Sequence, residues 1–232
     1  KKISIIGAGI AGLGAAIRLA CKGHSVNVFE ANKEAGGKMG ELKMDGFRFD
    51  TGPSLFTMPH YVEELFTLAG KDFAASFPIL KKETICNYYF ANGNQFTASA
   101  NKQTFIKEAS DCFNTSPQKI EKYLANSQLK FETTTRIFLE KSLHKLSTYV
   151  SIETLKALLH LHRLHLNQSL HTLHNNTFSN PDLIQLFDRY ATYNGSSPYK
   201  TPGIMSLIPH LEQHYGCFLP KNGMKQIATS LY

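Results

Sequence analysis

Gly7, Gly9 and Gly12 fall in a GxGxxG pattern. It lies between a β-branched run, Ile3-Ser4-Ile5-Ile6, and a stretch of good helix formers from Ala11 to Ala20. The short apolar run reads as a fully buried strand. Gly23 is a natural helix stop, Ser25 to Phe29 reads as a second strand, and Glu30 follows it. Strand, glycine turn, helix, strand and acid thus fall in register as one βαβ unit. That order commits the chain to an α/β fold built on a parallel sheet.

Each part of the unit suits a dinucleotide. Gly7 makes the tight turn, Gly9 lets the backbone approach a pyrophosphate, and Gly12 lets helix and strand pack closely. Free N–H groups at the helix start favour phosphate charge. Glu30, eighteen residues past the last glycine, is placed to accept hydrogen bonds from a ribose 2′-OH. A carboxylate there repels a 2′-phosphate and disfavours NADP. Gly36-Gly37-Lys38 comes next. A glycine pair followed by a cation can bring backbone and positive charge to cofactor phosphates, which an ordinary NAD dehydrogenase does not need. Taken alone it is also what a solvated surface turn looks like.

Other readings of the chain are weaker. Lys1-Lys2 and the apolar stretch from Ile3 to Ala20 superficially match a secretory leader, but the glycines and Arg18 make a poor membrane helix. No other segment reaches the roughly 18 apolar residues of a membrane span. The 25 Lys and Arg against 18 Asp and Glu give a net charge of +7, which permits contact with anionic membranes or nucleic acid. The one aromatic and basic segment, Tyr190 to Lys200, lacks the density of a nucleic-acid groove, so no nucleic-acid partner is expected. Cys21, Cys86, Cys112 and Cys217 form no CxxC pair, which argues against a zinc ribbon and for thiols in a reducing compartment. No nucleophilic triad or Walker lysine motif is present.

Further along, Asp45-Gly46 and Asn92-Gly93 each sit between strand-like runs and signal hairpins. Pro59 to Ala69 reads as a helix with Val62, Leu65, Phe66 and Leu68 on its apolar side. From Thr104 to His214 the reading is mainly helical, with Ser116-Pro117 and Asn180-Pro181 as helix starts. Ser151 caps a long segment, Ile152 to Leu173, in which Leu155, Leu158, Leu159, Leu161, Leu164, Leu166 and Leu170 spread over more than one face. Such a helix is buried, or it touches lipid or an apolar substrate, and buried core is the default. His160, His162, His165, His171 and His174 lie within fifteen residues, but only His162/His165 and His171/His174 share a helical face. No acid lies between Glu153 and Asp182, so a solvated or interfacial face is expected and no metal site.

Val28-Phe29-Glu30-Ala31, Gly36-Gly37-Lys38 and the run Gly46 to Ser54 resemble the FAD-dependent phytoene desaturase family, a flavoprotein group related to the amine oxidases. Ala191 to Tyr199 and Leu219 to Met224 extend the resemblance through the chain. Pro53 to Pro59 and Tyr193 to Tyr199 look most like its 1-hydroxycarotenoid 3,4-desaturase branch.

The resemblance implies a Rossmann-type FAD-binding domain, flavin amine oxidase-like, with an inserted mixed β/helical substrate domain. The FAD-binding segment would be 1–75, the hairpin and helical parts of the substrate domain 76–103 and 104–215, and a return segment 216–232. Family members run to roughly twice this length, so the chain looks like the N-terminal half, with the C-terminal part missing. Gly7, Gly9, Gly12, Glu30, Gly36, Gly37 and Lys38 would hold the adenosine and diphosphate of FAD. Gly52, Pro53 and Ser54 would lie nearer the isoalloxazine. Lys38 stands where the family usually has arginine, keeping charge but losing the bidentate fork. Asn222 stands where it usually has glycine, which would tighten or strain that turn.

Implied activity is desaturation of a carotenoid polyene with FAD as acceptor, on a hydroxylated carotenoid. Phytoene desaturation, carotenoid isomerisation or an inactive dinucleotide-binding fragment are the alternatives. No catalytic residue is assigned, and Asp50, Tyr193 and Tyr199 are polar candidates only. Implied partners are a carotenoid, a peripheral membrane contact, and oxygen or a quinone as electron acceptor. The implied location is cytoplasmic, at the membrane surface.

Overall fold

A computed structural model describes residues 1–232. From the N-terminus run β1 (Lys2–Ile6), α1 (Ile10–Cys21), β2 (Ser25–Phe29), β3 (Glu41–Met44) and β4 (Phe47–Asp50). Then come α2 (His60–Leu68), α3 (Phe73–Ser76), β5 (Ile79–Lys82), β6 (Thr84–Tyr89) and β7 (Gln95–Ser99). A helical stretch follows: α4 (Lys102–Cys112), α5 (Pro117–Phe138), α6 (Leu146–Tyr149), α7 (Ile152–Leu159), α8 (Leu170–Thr177), α9 (Pro181–Asp188) and α10 (Ile208–His210). The chain closes with β8 (Cys217–Pro220) and α11 (Lys225–Leu231).

Two compact units result, Lys1–Lys82 with Gly216–Tyr232, and Glu83–Tyr215. The boundary expected after residue 75 falls instead after Lys82, because β5 pairs antiparallel with β8, Lys82 opposite Cys217. The first unit therefore loses and regains the chain on adjacent strands.

In the first unit β1 and β2 pair in parallel, Ile3 opposite Val26 and Ile5 opposite Val28. The expectation of a fully buried β1 is corrected: Ile6 is 92% exposed. Parallel strands are normally covered on both faces by further strands and helices, and this sheet has only two strands. The core lies on the other side of α1, where Leu13 packs with Phe56, Val62, Leu65, Phe66, Phe77, Met224 and Ile227. Helix α2 buries Val62, Leu65 and Phe66 as its spacing demands, but Leu68 is 46% exposed and does not belong to that face. Asp45 and Gly46 both take positive φ, 52° and 81°, the two-residue turn whose twist matches a hairpin. The hairpin is amphipathic with its apolar side outward, since Leu42, Met44, Phe47 and Phe49 are all exposed.

The second unit packs the β6–β7 hairpin on helices through Phe90, Phe96, Phe105, Phe113 and Phe187. Asn180 caps α9 by accepting from the Asp182 and Leu183 N–H groups. Ser116 precedes Pro117 at the start of α5, but its hydroxyl bonds Gln118 and caps nothing.

The single helix expected from Ile152 to Leu173 is broken. Ser151 does cap α7, but that helix ends at Leu159, and α8 starts afresh on its own cap, Ser169. Between them His165 has φ of 52°, a left-handed conformation that ends helical propagation. The default of buried leucines is also corrected. Leu164 and Leu170 are buried, while Leu155, Leu158, Leu159, Leu161 and Leu166 are exposed.

Candidate functional site: a nucleotide cleft

The turn between β1 and α1 is fixed by close backbone approach. A Cβ at Gly12 would lie 2.0 Å from the Gly7 carbonyl oxygen, so only glycine fits there. Gly7 itself takes φ of 95° and donates its N–H to the Phe29 carbonyl at 2.7 Å, locking the turn to β2. Gly9 stands at the N-cap of α1 with no side chain to fill the space before the first helical N–H groups. Gly36 donates to the Ala8 carbonyl at 2.8 Å, and a Cβ at Gly37 would meet the Gly9 Cα at 3.2 Å. The glycine pair is thus laid directly against the glycine turn, which brings Gly7, Gly9, Gly12, Gly36 and Gly37 together.

Glu30 joins the same cluster. Its carboxylate accepts from the Asn32 N–H at 2.9 Å, the Asn32 side-chain amide at 2.8 Å and the Ala8 N–H at 2.7 Å. The backbone bonds from Asn32 and Ala8 hold its carboxyl below the usual carboxylate range. It is a fixed anion at the end of β2.

An open cleft of about 900 Å³ lies in this unit, lined by Ala8, Val28, Glu30, Asn32 to Ala35, residues of the β3–β4 hairpin and residues of the 221–232 segment. Of the glycine turn only Ala8 lines it, Gly7, Gly9 and Gly12 do not, and Glu30 does. Lys38 is exposed and does not line it. Gly52 is pressed on the Lys38 carbonyl, where a Cβ would lie 1.8 Å from the oxygen, and Pro53 and Ser54 are exposed beyond it. Glycine-only approaches, a positive rim and a fixed carboxylate suit a nucleotide diphosphate with its ribose.

Asn222 does not strain its turn. The positive φ, 85°, is carried by Gly223, while Asn222 donates its N–H to the Gln226 side chain at 3.0 Å. Asp50 accepts from the Met224 N–H at 3.1 Å and from Arg48 at 2.7 Å, tying β4 to the start of α11. Arg48 lies within the Gly46 to Ser54 run, which assigns it no binding role, and the α11 side chains carry no motif. They reach the cleft through contacts with residues more than 170 positions away in sequence, and the Asp45-Gly46 turn signal and the Gly46 to Ser54 run mark only the strand that brings Arg48 there.

In the second unit, the polar residues singled out from sequence serve the unit's own structure. Tyr193 donates to the buried Glu212 carboxylate at 2.7 Å, alongside Tyr190 at 2.9 Å and Arg189 at 2.7 Å. Tyr199 is exposed and lies against the His171 ring. His171 and His174 do share a face, but not a solvated one. Both Nδ1 atoms lie 2.6 Å from the Asp188 carboxylate, and His174 is fully buried. Burial lowers the His174 pKa against the pull of Asp188, so the ring is neutral, with Nδ1–H donating to Asp188 and Nε2 accepting from Tyr123 at 2.8 Å. Asp188 lies fourteen residues beyond His174, on α9, and the fold rather than sequence proximity brings it to the pair.

The profile of the flavin-containing amine oxidoreductase family matches residues 10–232. The chain is 51% identical over its whole length to a 1-hydroxycarotenoid 3,4-desaturase of Flavobacterium sp. (strain P99-3), and it covers 47% of that protein. It is 32% identical to a 4,4′-diapolycopene oxygenase of Methylomonas sp., matching all of this chain and 46% of the relative. Against a 4,4′-diapophytoene desaturase of Staphylococcus aureus (strain Newman) it is 31% identical, over 99% of this chain and 45% of that protein. The chain thus spans about half the length of the curated relatives it matches. Among solved structures, cyclohexylamine oxidase from Brevibacterium oxydans IH-35A superposes with a TM-score of 0.62 at 17% identity, over 99% of this chain and 48% of that one. A triple mutant of putrescine oxidase gives 0.61 at 16% identity, over 100% of this chain and 48% of that one. These show the amine-oxidase fold, and together with the profile match they establish that the chain belongs to the flavin-containing amine oxidoreductase family.

Proposed function

We propose that this chain forms the nucleotide-binding and substrate-domain portion of an FAD-dependent carotenoid desaturase acting on a 1-hydroxylated carotenoid at the 3,4 bond. The observation that carries the reading is the 51% identity to such a desaturase along all 232 residues. The glycine cluster and Glu30 fit FAD. Gly7, Gly9, Gly12, Gly36 and Gly37 leave the start of α1 clear of side chains, which gives space for a diphosphate, and Glu30 offers carboxylate oxygens for ribose hydroxyls. Lys38, Gly52, Pro53 and Ser54 complete the proposed set toward the flavin ring.

Bound FAD would supply the two-electron acceptor for removing hydrogen from adjacent polyene carbons. The protein's part is to bind and orient. The α1 N-terminus and the cations of the cleft offset diphosphate charge, and Glu30 fixes the ribose end. No residue is assigned as an acid or base. Oxygen or a quinone is proposed to reoxidise the flavin.

Carotenoids partition into lipid, and the second unit carries a surface suited to it. Leu146, Val150 and Leu159 are 85%, 77% and 76% exposed, and Lys145, Lys156 and Arg163 lie among them. Exposed apolar side chains with exposed cations close by in sequence fit the interface of an anionic membrane, so a cytoplasmic, membrane-peripheral location is proposed. No helix is long and apolar enough to cross a membrane.

The test is flavin content by absorbance, then product analysis with hydroxylated and unhydroxylated carotenes in vesicles, on this chain and on one extended to the relatives' length. Bound FAD with a new 3,4 double bond only in the hydroxylated substrate is expected. Desaturation of an unhydroxylated diapocarotenoid instead would favour the activity named for the relatives at 31% identity. NAD uptake in place of FAD would sink the desaturase reading.

A further inference from the structure

Strand β4 alternates, so Phe47 and Phe49 point away from the nucleotide cleft while Arg48 and Asp50 share the cleft side with Glu41 and Lys43 of β3. The register sets Lys43 directly opposite Arg48. Like charges in that position destabilise a hairpin, and here both line the cleft. Lys43 is turned to Glu41 at 3.2 Å and Arg48 to Asp50 at 2.7 Å.

Arg48 is also seated from the other side. A Cβ on Gly223 would lie 1.9 Å from its Nη1, 2.4 Å from Cζ and 2.5 Å from Nη2, so the guanidinium fills the space that any side chain at 223 would need. Gly223 holds φ of 85° and follows directly on Lys221-Asn222 of the cleft rim. Asp50, which takes Nη1, is itself held by the Met224 N–H. Nε and Nη2 have no acceptor within the protein, so a planar fork is positioned with donors to spare. Of the lysines that also line the cleft, Lys225 is spent on Glu34 and Glu41 and Lys43 on Glu41, and Lys33 and Lys221 lack a planar fork.

We propose that Arg48, seated on Gly223 and steadied by Asp50, is the cation that grips the cofactor's diphosphate in this cleft. Resting on the FAD reading above, it assigns to Arg48 the bidentate role that a lysine at position 38 cannot perform. An arginine fork matches two phosphate oxygens at once, and an ammonium does not.

Binding of FAD, ADP and adenosine is measured by titration calorimetry at two salt concentrations, for wild type, Arg48→Gln, Arg48→Lys and Lys38→Gln. Arg48→Gln is expected to weaken FAD and ADP ten- to a hundredfold and to flatten the salt dependence. Adenosine, which has no phosphate, should change less than twofold. Arg48→Lys should recover only part of the loss. Gly223→Ala, whose methyl displaces the guanidinium, should resemble Arg48→Gln. Wild type that binds ADP while Arg48→Gln binds it within twofold overturns the assignment, as does equal loss for adenosine, which would mark a merely structural role. Wild type that binds neither FAD nor ADP fails the cofactor reading itself and takes this assignment with it.

Discussion

Lys130 lies in the middle of α5, 2% exposed, and its only polar partner is the Ser206 hydroxyl at 2.5 Å. No carboxylate offsets its charge, and burial lowers its pKa from 10.5 to about 8. The unfolded chain then binds more protons than the folded one between about pH 8 and 10.5, so this group makes stability rise with pH across that window. The penalty is present in full below pH 8 and amounts to about 3 kcal/mol, taken from the shift. His210 works at the acid end. Burial, then the adjacent His214, lowers its pKa to about 4, so stability falls as pH drops from 6.5 toward 4. Lys130→Met is therefore expected to raise the denaturation midpoint at pH 7 and to remove the alkaline rise. Ser206 keeps its bond to the Gly203 carbonyl at 2.7 Å in that variant. Denaturant melts across pH 4 to 11 would check this, and an unchanged alkaline slope would refute it.

Where an element is specified by its own residues, the sequence predicts it closely. The β1–α1–β2 run and the hairpin at Asp45-Gly46 follow from local glycine and turn chemistry, and β2 occupies the expected Ser25–Phe29. The break after α7 was not legible in the same way. α7 gives way to a 3₁₀ turn at Leu161–Arg163, and His165 then takes the left-handed region, bonded to Gln168 at 2.8 Å and with Gly203 close to its carbonyl. The first is a local bond and the second a tertiary contact, and neither is announced by a glycine or proline at that position. Periodicity likewise reports which residues are apolar but not what covers them, and so the leucines of α7 read as core although they face out. That outward face is expected to bind vesicles rich in anionic lipid. Changing Val150 and Leu159 together to serine should cut cosedimentation about tenfold or more, because each removes a large exposed apolar group. High salt should weaken the wild type in part, through Lys145, Lys156 and Arg163. Equal binding of the double variant and the wild type would exclude this face.

The nucleotide-binding unit is assembled from two distant stretches of chain, and this governs what the whole molecule can lose. β8 and α11 bring Met224, Ile227, Ala228 and Leu231 into the same core as Ala8 and Leu13. The N-terminal motif thus depends on residues more than two hundred positions later, although its pattern is complete within the first thirty. Glu83–Tyr215 holds a separate core built around Tyr123, Leu183 and Phe187. Removing 216–232 should therefore act on one unit only. Met224, Ile227 and Leu231 at about 1.5–3 kcal/mol each, with a smaller share from Ala228, are as much as a small unit can spare. In hydrogen exchange, the shortened chain should lose protection from Leu13 to Ile17 of α1, while amides of α5 and α9 keep theirs. Retained protection in α1 would show that the glycine turn folds without its distant half. Loss in α5 and α9 as well would show that the helical unit depends on β8 and α11.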